Sequence, residues 1–333
     1  MRKYKISILV AAYNAEKYIR KCLDSLQNQT LQEIQVICID DASTDNTLTI
    51  LKEYATLDRR FTVLAQPVNK GQAVARNRGL ELATGEFVTF LDSDDWYAED
   101  ALEKAYDVVV THPLTDTVLM DLFFFYEDSN DYIPYHCRAE KKVYSGKEAL
   151  VLSLDWSIHG VYMVRNAIHK AYPYDTSSRM YSDDNTTHLH FLHSREVRFS
   201  DGIYYYRQHP SSNTNRCNIR RFDYMDAGLN LKKLLQDEGL ERNVLSLNEN
   251  LRWANVVGMY IYFLRYKSCF SGEEQNEIVQ RFRFHHEQVD ANLLRPGLKY
   301  RFGYFPFKNS FVLFRLEVGL YHFLRKLFHR DRG

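Results

Sequence analysis

The strongest constraint on this chain is an alternation that runs four times through roughly its first hundred residues: a short run apolar on both faces, a polar break, then an apolar stripe at helical spacing. Ile6, Ile8 and Val10 open the first run, residues 34–39 form the second, "FTVLAQP" the third and "GEFVTFLDSDDW" the fourth. Strands with no polar face need cover on both sides. The intervening stripes supply it. Asn14 is a candidate cap for a helix carrying Tyr18, Ile19, Cys22, Leu23 and Leu26. Ser43, Thr44 and Asp45 offer cap oxygens to "TLTILKEYATLD", and Gly71 leads "QAVARNRGLELA". The pattern predicts a doubly wound α/β domain, with one more helix over Ala101 to Val110.

Beyond that helix the pattern loosens. "VLMDLFFFYED" reads as a strand, a helix starts near Ser145, and "SDGIYYYRQHPSSNTN" reads as a strand leaving into a loop. From about Arg220 long helical patterns take over, so a boundary is expected near residue 218: an α/β domain over 1–217, with halves 1–110 and 111–217, then a mainly helical region over 218–333. With 43 basic and 43 acidic residues, bulk charge gives no reason to expect nucleic-acid binding. The five cysteines are scattered without a C-x-x-C pair, which fits a reducing, cytoplasmic compartment. No apolar run approaches the 18 residues of a spanning helix, and the N-terminus enters a strand pattern without a leader pattern.

Three polar clusters sit where strands end: Tyr13-Asn14, Asp40-Asp41 and Asp92 to Asp95. In open α/β sheets ligands bind beyond the carboxyl ends of the strands, so one cleft accounts for all three. "FLDSDDW" places three carboxylates within four positions. Like charges this close raise one another's pKa unless something positive sits among them. A cation, a substrate or both are implied; the alternative is a negatively charged helix start before "AEDALEKAYD".

Taken together, "SILVAAYNAEKYI", "VICIDDASTDNT", "NKGQAVARNRGLELATGEFVTFLDSDDW", "YSDDNTTHLHFL" and "YYYRQHPSS" resemble family 2 of the inverting nucleotide-sugar glycosyltransferases, of the GT-A fold and bacterial polysaccharide type. The pieces cover about the first two-thirds of the chain, in the family's order. The resemblance implies an α/β GT-A sheet, mixed and flanked by helices, with a helical C-terminal extension. It also implies transfer of a hexosyl or N-acetylhexosaminyl group from a nucleotide-sugar, a UDP-sugar, to a glycan or lipid-linked acceptor.

Such chemistry needs a base pocket, neutralisation of the departing diphosphate, and a base for the acceptor hydroxyl. By resemblance Asp92-Ser93-Asp94 is the family's D-x-D: Asp94 would bind Mn²⁺ or Mg²⁺ directly, Asp92 would lie nearer the ribose or a metal-bound water, and Asp95 would support them. Asp41 inherits the contact to the uracil imide and Glu16 joins the donor-binding set. Tyr13 can stack on the base, and Ala11 and Ala12 leave room for close backbone approach. Arg76 faces the diphosphate; Arg78 and Lys70 are expected at the surface. Asp184 inherits the general base, with Asp183 before it where the family usually has Glu. His209 or Arg207 would touch the metal or the diphosphate, His209 as a further ligand, with a structural role as the alternative.

His188, His190 and His193 do not share one helical face and have no completing ligand, so they are not read as a zinc site. Trp156 and His159 fall in the segment the family uses near the acceptor. At the C-terminus (residues 309–332), Leu313, Leu316, Leu320, Phe323, Leu324 and Leu327 share a helical face, with Arg325, Lys326, His329, Arg330 and Arg332 beyond. Such a helix can lie on an anionic membrane, which would make the protein peripheral at the inner face of the cell membrane. Internal packing or a homodimer interface is the alternative. Two other functional classes compete. A nucleotidyltransferase needs a glycine-rich loop that "AAYNAEKY" is not, and a non-catalytic nucleotide- or glycan-binding protein has no need of Asp184.

Overall fold

The computed structural model describes residues 4–209, 217–295 and 310–328. They fall into two compact units, Met1–Asn215 and Arg216–Gly333. The first holds strands β1 (Ile6–Ala12), β2 (Ile34–Asp40), β3 (Phe61–Ala65), β4 (Phe87–Phe90), β5 (Trp96–Tyr97), β6 (Thr115–Tyr126), β7 (Asp131–Pro134), β8 (Val143–Ser145), β9 (Tyr162–Arg165) and β10 (Glu196–Gln208). Its helices are α1 (Ile19–Gln27), α2 (Thr47–Leu57), α3 (Gln72–Leu82), α4 (Ala101–Thr111), α5 (Gly146–Leu154), α6 (Asn166–Ala171) and α7 (Ser182–Leu192).

All ten strands join one mixed sheet in the order β3-β2-β1-β4-β9-β6-β10-β5, with β7 on β6 and β8 on β10. The first four are parallel. β9 runs antiparallel between β4 and β6, and β10 lies parallel to β6. Every residue of β1 is buried. Ile8 and Val10 pack with Cys22, Leu23 and Leu51 on one face, while Leu9 and Ala11 pack with Ile39, Ala75 and Leu80 on the other. This two-sided cover is why the strand carries no polar face.

α3 begins at Gly71, whose φ of 94° suits glycine alone. Its Gly79 lies so close to the sheet that an added Cβ would stand 2.6 Å from Ile39 Cδ1. The helix start expected from an Asn14 cap is not there. α1 begins at Ile19 without a side-chain cap. Asn14 instead adopts φ 48° and accepts from the Thr44 amide at 2.8 Å, so residues 13–18 are tied to the loop after β2. Asp45 does serve the next helix, accepting from the Thr47 amide through Oδ1 at 3.0 Å. Ser145 caps α5 reciprocally with Glu148.

The second unit contains α8 (Asp223–Asp237), α9 (Arg242–Arg265), α10 (Gly272–Glu287) and α11 (Phe311–Leu327). α9 touches the other three, around an aromatic core of Trp253, Tyr260, Phe263, Phe282 and Phe314. α11 docks through Phe311, Phe314 and Val318, whereas the face singled out in the sequence, Leu313 to Leu327, is exposed. The expected basic residues His329, Arg330 and Arg332, and position 309, lie outside the described residues.

Candidate active site

The chain crosses from β3 past β2 and β1 to β4, which makes the carboxyl ends of β1 and β4 the switch point where an open α/β sheet binds ligands. Ala11 and Ala12 close β1 and are buried; Tyr13, next in line, has a half-exposed ring. Asn14 and Ala42 follow β1 and β2 at φ 48° and 62°, and Tyr181 precedes α7 at φ 68°. Left-handed backbone at non-glycine residues costs on the order of 1–3 kcal/mol each and gathers at functional sites. Three such residues flank the segments predicted to bind ligand.

After β4 the D-S-D-D segment turns tightly, with the Asp95 amide donating to the Asp92 carbonyl at 3.0 Å. β10 grips this turn. Tyr204 Oη donates to Asp95 Oδ2 at 2.6 Å, and the Arg207 amide donates to Asp95 Oδ1 at 2.8 Å. Arg207 Nε donates to the Asp94 carbonyl at 2.9 Å, its guanidinium packed over the rings of Trp96 and Tyr18. Burial, with Asp94 and Asp92 alongside, pushes the Asp95 carboxyl well above the ordinary range. Asp95 is therefore the pin of the turn, while Asp94, partly exposed, points to His209 with Oδ2 and Nε2 3.0 Å apart.

Arg76, expected to face the diphosphate, lies between two carboxylates of the cleft. Its side chain is almost wholly buried, with Nη2 2.5 Å from Asp92 Oδ1 and Nη1 3.1 Å from Asp183 Oδ2. The Phe90 ring lies against the guanidinium, with its centroid 4.2 Å away. The two carboxylates flank the guanidinium and satisfy its charge. Burial alone would lower its pKa, but Asp92, Tyr174 and Asp183 hold it above its ordinary value. Asp92 is raised to about 6, chiefly by burial and against the pull of Arg76. Gln72 Nε2 also donates to Asp92, at 2.6 Å.

Asp184 stands in the first turn of α7 beside Asp183. Burial first, and the Asp183 charge second, push it well above the usual carboxylate range. A carboxylate poised nearer neutrality is a better proton acceptor at physiological pH.

Two donor-side expectations acquire structural duties. Asp41 accepts from Gln66 Nε2 and the Lys70 amide through Oδ1, and from the Gly71 amide through Oδ2, all within 2.9 Å, and so closes the loop into α3. Glu16 Oε2 accepts from the backbone and side chain of Asn46. Lys70 and Arg78 are exposed, Arg78 facing Glu81 at 3.7 Å.

The histidines of α7 are core groups: His188 Nδ1 pairs with Ser153 Oγ at 2.8 Å and His190 Nδ1 with Tyr162 Oη at 2.7 Å, while the half-buried His193, just past the helix, stacks on Tyr172. His159 is buried against Tyr135, and Trp156 takes φ 55°. The sequence reading missed Tyr204 and Gln72. Only the strand alternation of "IYYYRQ" hinted that Tyr204 points inward.

Among the described residues no group of three or more His, Cys, Asp or Glu side chains forms a metal cage. The Asp94–His209 pair nevertheless offers one oxygen and one nitrogen donor side by side. The carboxylate oxygen suits Mn²⁺ or Mg²⁺, which take few protein ligands when phosphate oxygens and water fill the rest, and the imidazole nitrogen favours Mn²⁺ over Mg²⁺. The residues fit the ion.

A ten-stranded mixed sheet flanked by helices, with carboxylates gathered at its switch point, defines a GT-A-like fold. The glycosyl transferase family 2 model matches residues 7–172, and the chain belongs to that family. Glycosyltransferase GlyA of Streptococcus pneumoniae is 36% identical over 143 residues, 42% of this chain and 20% of its own length. Glycosyltransferase GlyG of the same organism is 27% identical over 316 residues, covering 86% of this chain and 98% of GlyG. The chain spans 35%, 20% and 45% of three curated relatives it matches, less than half of each. S. aureus TarS 1-349, solved with UDP-GlcNAc, superposes with a TM-score of 0.73 at 19% identity, over 98% of this chain and 92% of that one.

Proposed function

We propose that this chain is an inverting glycosyltransferase that moves a hexosyl or N-acetylhexosaminyl group from a UDP-sugar to a hydroxyl of a glycan or lipid-linked acceptor, in surface polysaccharide synthesis. One observation carries the reading: Arg76 joins Asp92 of the D-S-D segment to Asp183 of the acidic pair, which puts donor-side and acceptor-side carboxylates in one cleft. Family membership and the UDP-GlcNAc complex of TarS support the donor class.

In this reading Tyr13 stacks on the base, Ala11 and Ala12 lie beneath it, and Asp41 and Glu16 complete the pocket edge. Asp94, with His209 and Asp92, would hold a divalent ion, which would supply charge neutralisation for the diphosphate. A mannosyltransferase from Pyrobaculum calidifontis, solved with GDP-Man and Mn2+, shares the fold at a TM-score of 0.55. Asp184 accepts the proton of the acceptor hydroxyl. The oxygen attacks the anomeric carbon from the side opposite the nucleotide, and the carbon–oxygen bond to the diphosphate breaks with its electron pair leaving on UDP. Asp183 and Arg76 fix the place of Asp184. The work is done on the cytoplasmic side, at the inner face of the membrane.

The test is calorimetric titration of UDP with and without Mn²⁺, beside Asp94→Asn. Metal-dependent binding that the variant loses is the expected result. Absence of UDP binding in both conditions sinks the donor assignment. Loss of turnover in Asp184→Asn with donor binding intact argues against a non-catalytic binding protein.

A further inference from the structure

The segment between α6 and α7, Tyr172 to Tyr181, has no helix or strand of its own, yet three anchors hold it as a strap. Asn77 of α3 takes the Tyr174 backbone on both sides, accepting from its amide and donating to its carbonyl at 2.8 Å each. Asp175 fastens the strap to α7: its amide donates to Thr186 Oγ1 at 2.8 Å, and its Oδ2 accepts from Asn185 Nδ2 at 2.7 Å. Arg179 is the third anchor. Its Nη2 donates to the Asn69 carbonyl at 3.1 Å and to Asn69 Oδ1 at 2.7 Å, across 110 residues of sequence. The Arg179 stem lies over Gly71, with Cγ 3.7 Å from the place a Cβ there would take.

Each anchor stands beside a group of the candidate site. Asn77 follows Arg76, and the Arg76 guanidinium lies 5.3 Å from the centroid of the Tyr174 ring. Asn185 and Thr186 follow Asp184 directly and are buried. Asn69 precedes Lys70 and Gly71, whose amides hold Asp41. Two separate links therefore join the donor side to α7. Arg76 makes one through Asp92 and Asp183, on the side expected to face the diphosphate. Arg179 makes the other from the loop that fixes Asp41, on the side expected to face the base. Contacts that connect two segments carry ordering from one to the other, and a ligand that orders the first lowers the cost of ordering the second.

We propose that Arg179 is a positioning residue: by tying Asn69 to the strap, it makes occupation of the base pocket at Asp41 order the start of α7, where Asp183 and Asp184 stand. The proposal rests on the roles given to Asp41 and Asp184 in the proposed function. It deepens that reading by making the acceptor base respond to the nucleobase without the diphosphate as intermediary.

Hydrogen exchange of the full chain, read by mass spectrometry with and without saturating uridine, tests it. Uridine carries no phosphate and so leaves the Arg76 link unengaged. Exchange should slow by about fivefold or more both at 69–71 and at 174–189. In Arg179→Met the slowing at 69–71 should persist and that at 174–189 should vanish. Arg179→Lys should retain both, because a single nitrogen serves the two Asn69 oxygens and an ammonium can take its place. A purely structural anchor loosens the strap equally with and without uridine, and does not remove the response. Slowing confined to 69–71 in the wild type, or a response at 174–189 that Arg179→Met leaves intact, overturns the proposal. Absence of any response at 69–71 counts against the base-pocket reading instead, and the ligand-free proteins then decide the link. There Asn69→Ala and Arg179→Met should each speed exchange at 174–189, and the double variant should speed it no further. Unchanged exchange in both single variants overturns the link.

Discussion

The guanidinium of Arg76 meets the carboxylate of Asp183 at 3.1 Å across 107 residues of sequence. The same side chain holds Asp92 at 2.5 Å. One buried cation thus ties the turn after β4 to the start of α7. Arg76→Met leaves two carboxylates facing each other across an apolar gap. Both carboxylates keep some solvent contact, so a loss of about 2 kcal/mol is expected rather than the larger cost of a fully buried pair. Turnover should fall at least 100-fold, and Arg76→Lys should rescue stability more than turnover, since an ammonium cannot serve two carboxylates in the same fork. Urea unfolding and initial rates check both; unchanged turnover in Arg76→Met refutes the coupling.

Asp184 should set the acid limb of the pH profile. Its carboxyl is raised above the ordinary value, chiefly by burial, so the basic form is lost while the solution is still above the usual carboxylate pKa. The ratio kcat/KM should rise with pH through this raised value and then level. Asp184→Asn should lose about 100-fold or more and abolish that limb, with UDP affinity retained. A preserved limb in the variant assigns the titration to another group.

Tyr204→Phe removes the hydroxyl that donates to Asp95 at 2.6 Å. The pinning carboxyl loses a buried partner, which costs on the order of 1–3 kcal/mol. Metal-dependent UDP binding should weaken with it, because Asp94 sits on the turn that Asp95 holds. A variant with wild-type stability and wild-type UDP affinity would show that the turn needs no such pin.

His159, His188 and His190 are lowered to about 4, in each case by burial before anything else. The unfolded chain takes up these protons near pH 6.5 and the folded chain does not. Their contribution to stability is therefore full above about pH 6.5 and falls as pH drops from there toward 4, by roughly 1.4 kcal/mol per unit for each group. Raised carboxylates such as Asp92 act in the opposite sense between about pH 4 and 6. The clean measurement is imidazole NMR at pH 5.5, where all three rings should remain neutral. A charged ring at any of the three positions contradicts its burial as a neutral group.

Much of the fold was legible in the order of residues. The two-sided apolar runs at β1, β2 and β4, short and closed by turn residues, report strands covered on both faces. Asp40-Asp41 and Asp92 to Asp95 could be placed at strand ends for the same reason, and the acidic pair of α7 could be found by its resemblance to a family. Local chemistry also predicted a helix start near Ser145, which the structure caps with that side chain, and the Gly71 turn.

Contacts between distant segments were not legible. Asn14 offers a good helix cap in isolation, yet Thr44 claims its side chain, because loop-to-loop bonding replaces the local one once β1 and β2 pair. Arg76 as a sequence position is a cation near a diphosphate site; only packing of α3 against the sheet and the approach of α7 make it the link between Asp92 and Asp183. Likewise, the stripe from Leu313 to Leu327 announces an amphipathic helix, but which side it buries depends on the aromatic core that receives Phe311, Phe314 and Val318. Periodicity records that a residue needs cover or solvent. The partner that supplies it is fixed by the three-dimensional meeting of segments far apart in the chain, and that information exists only in the tertiary structure.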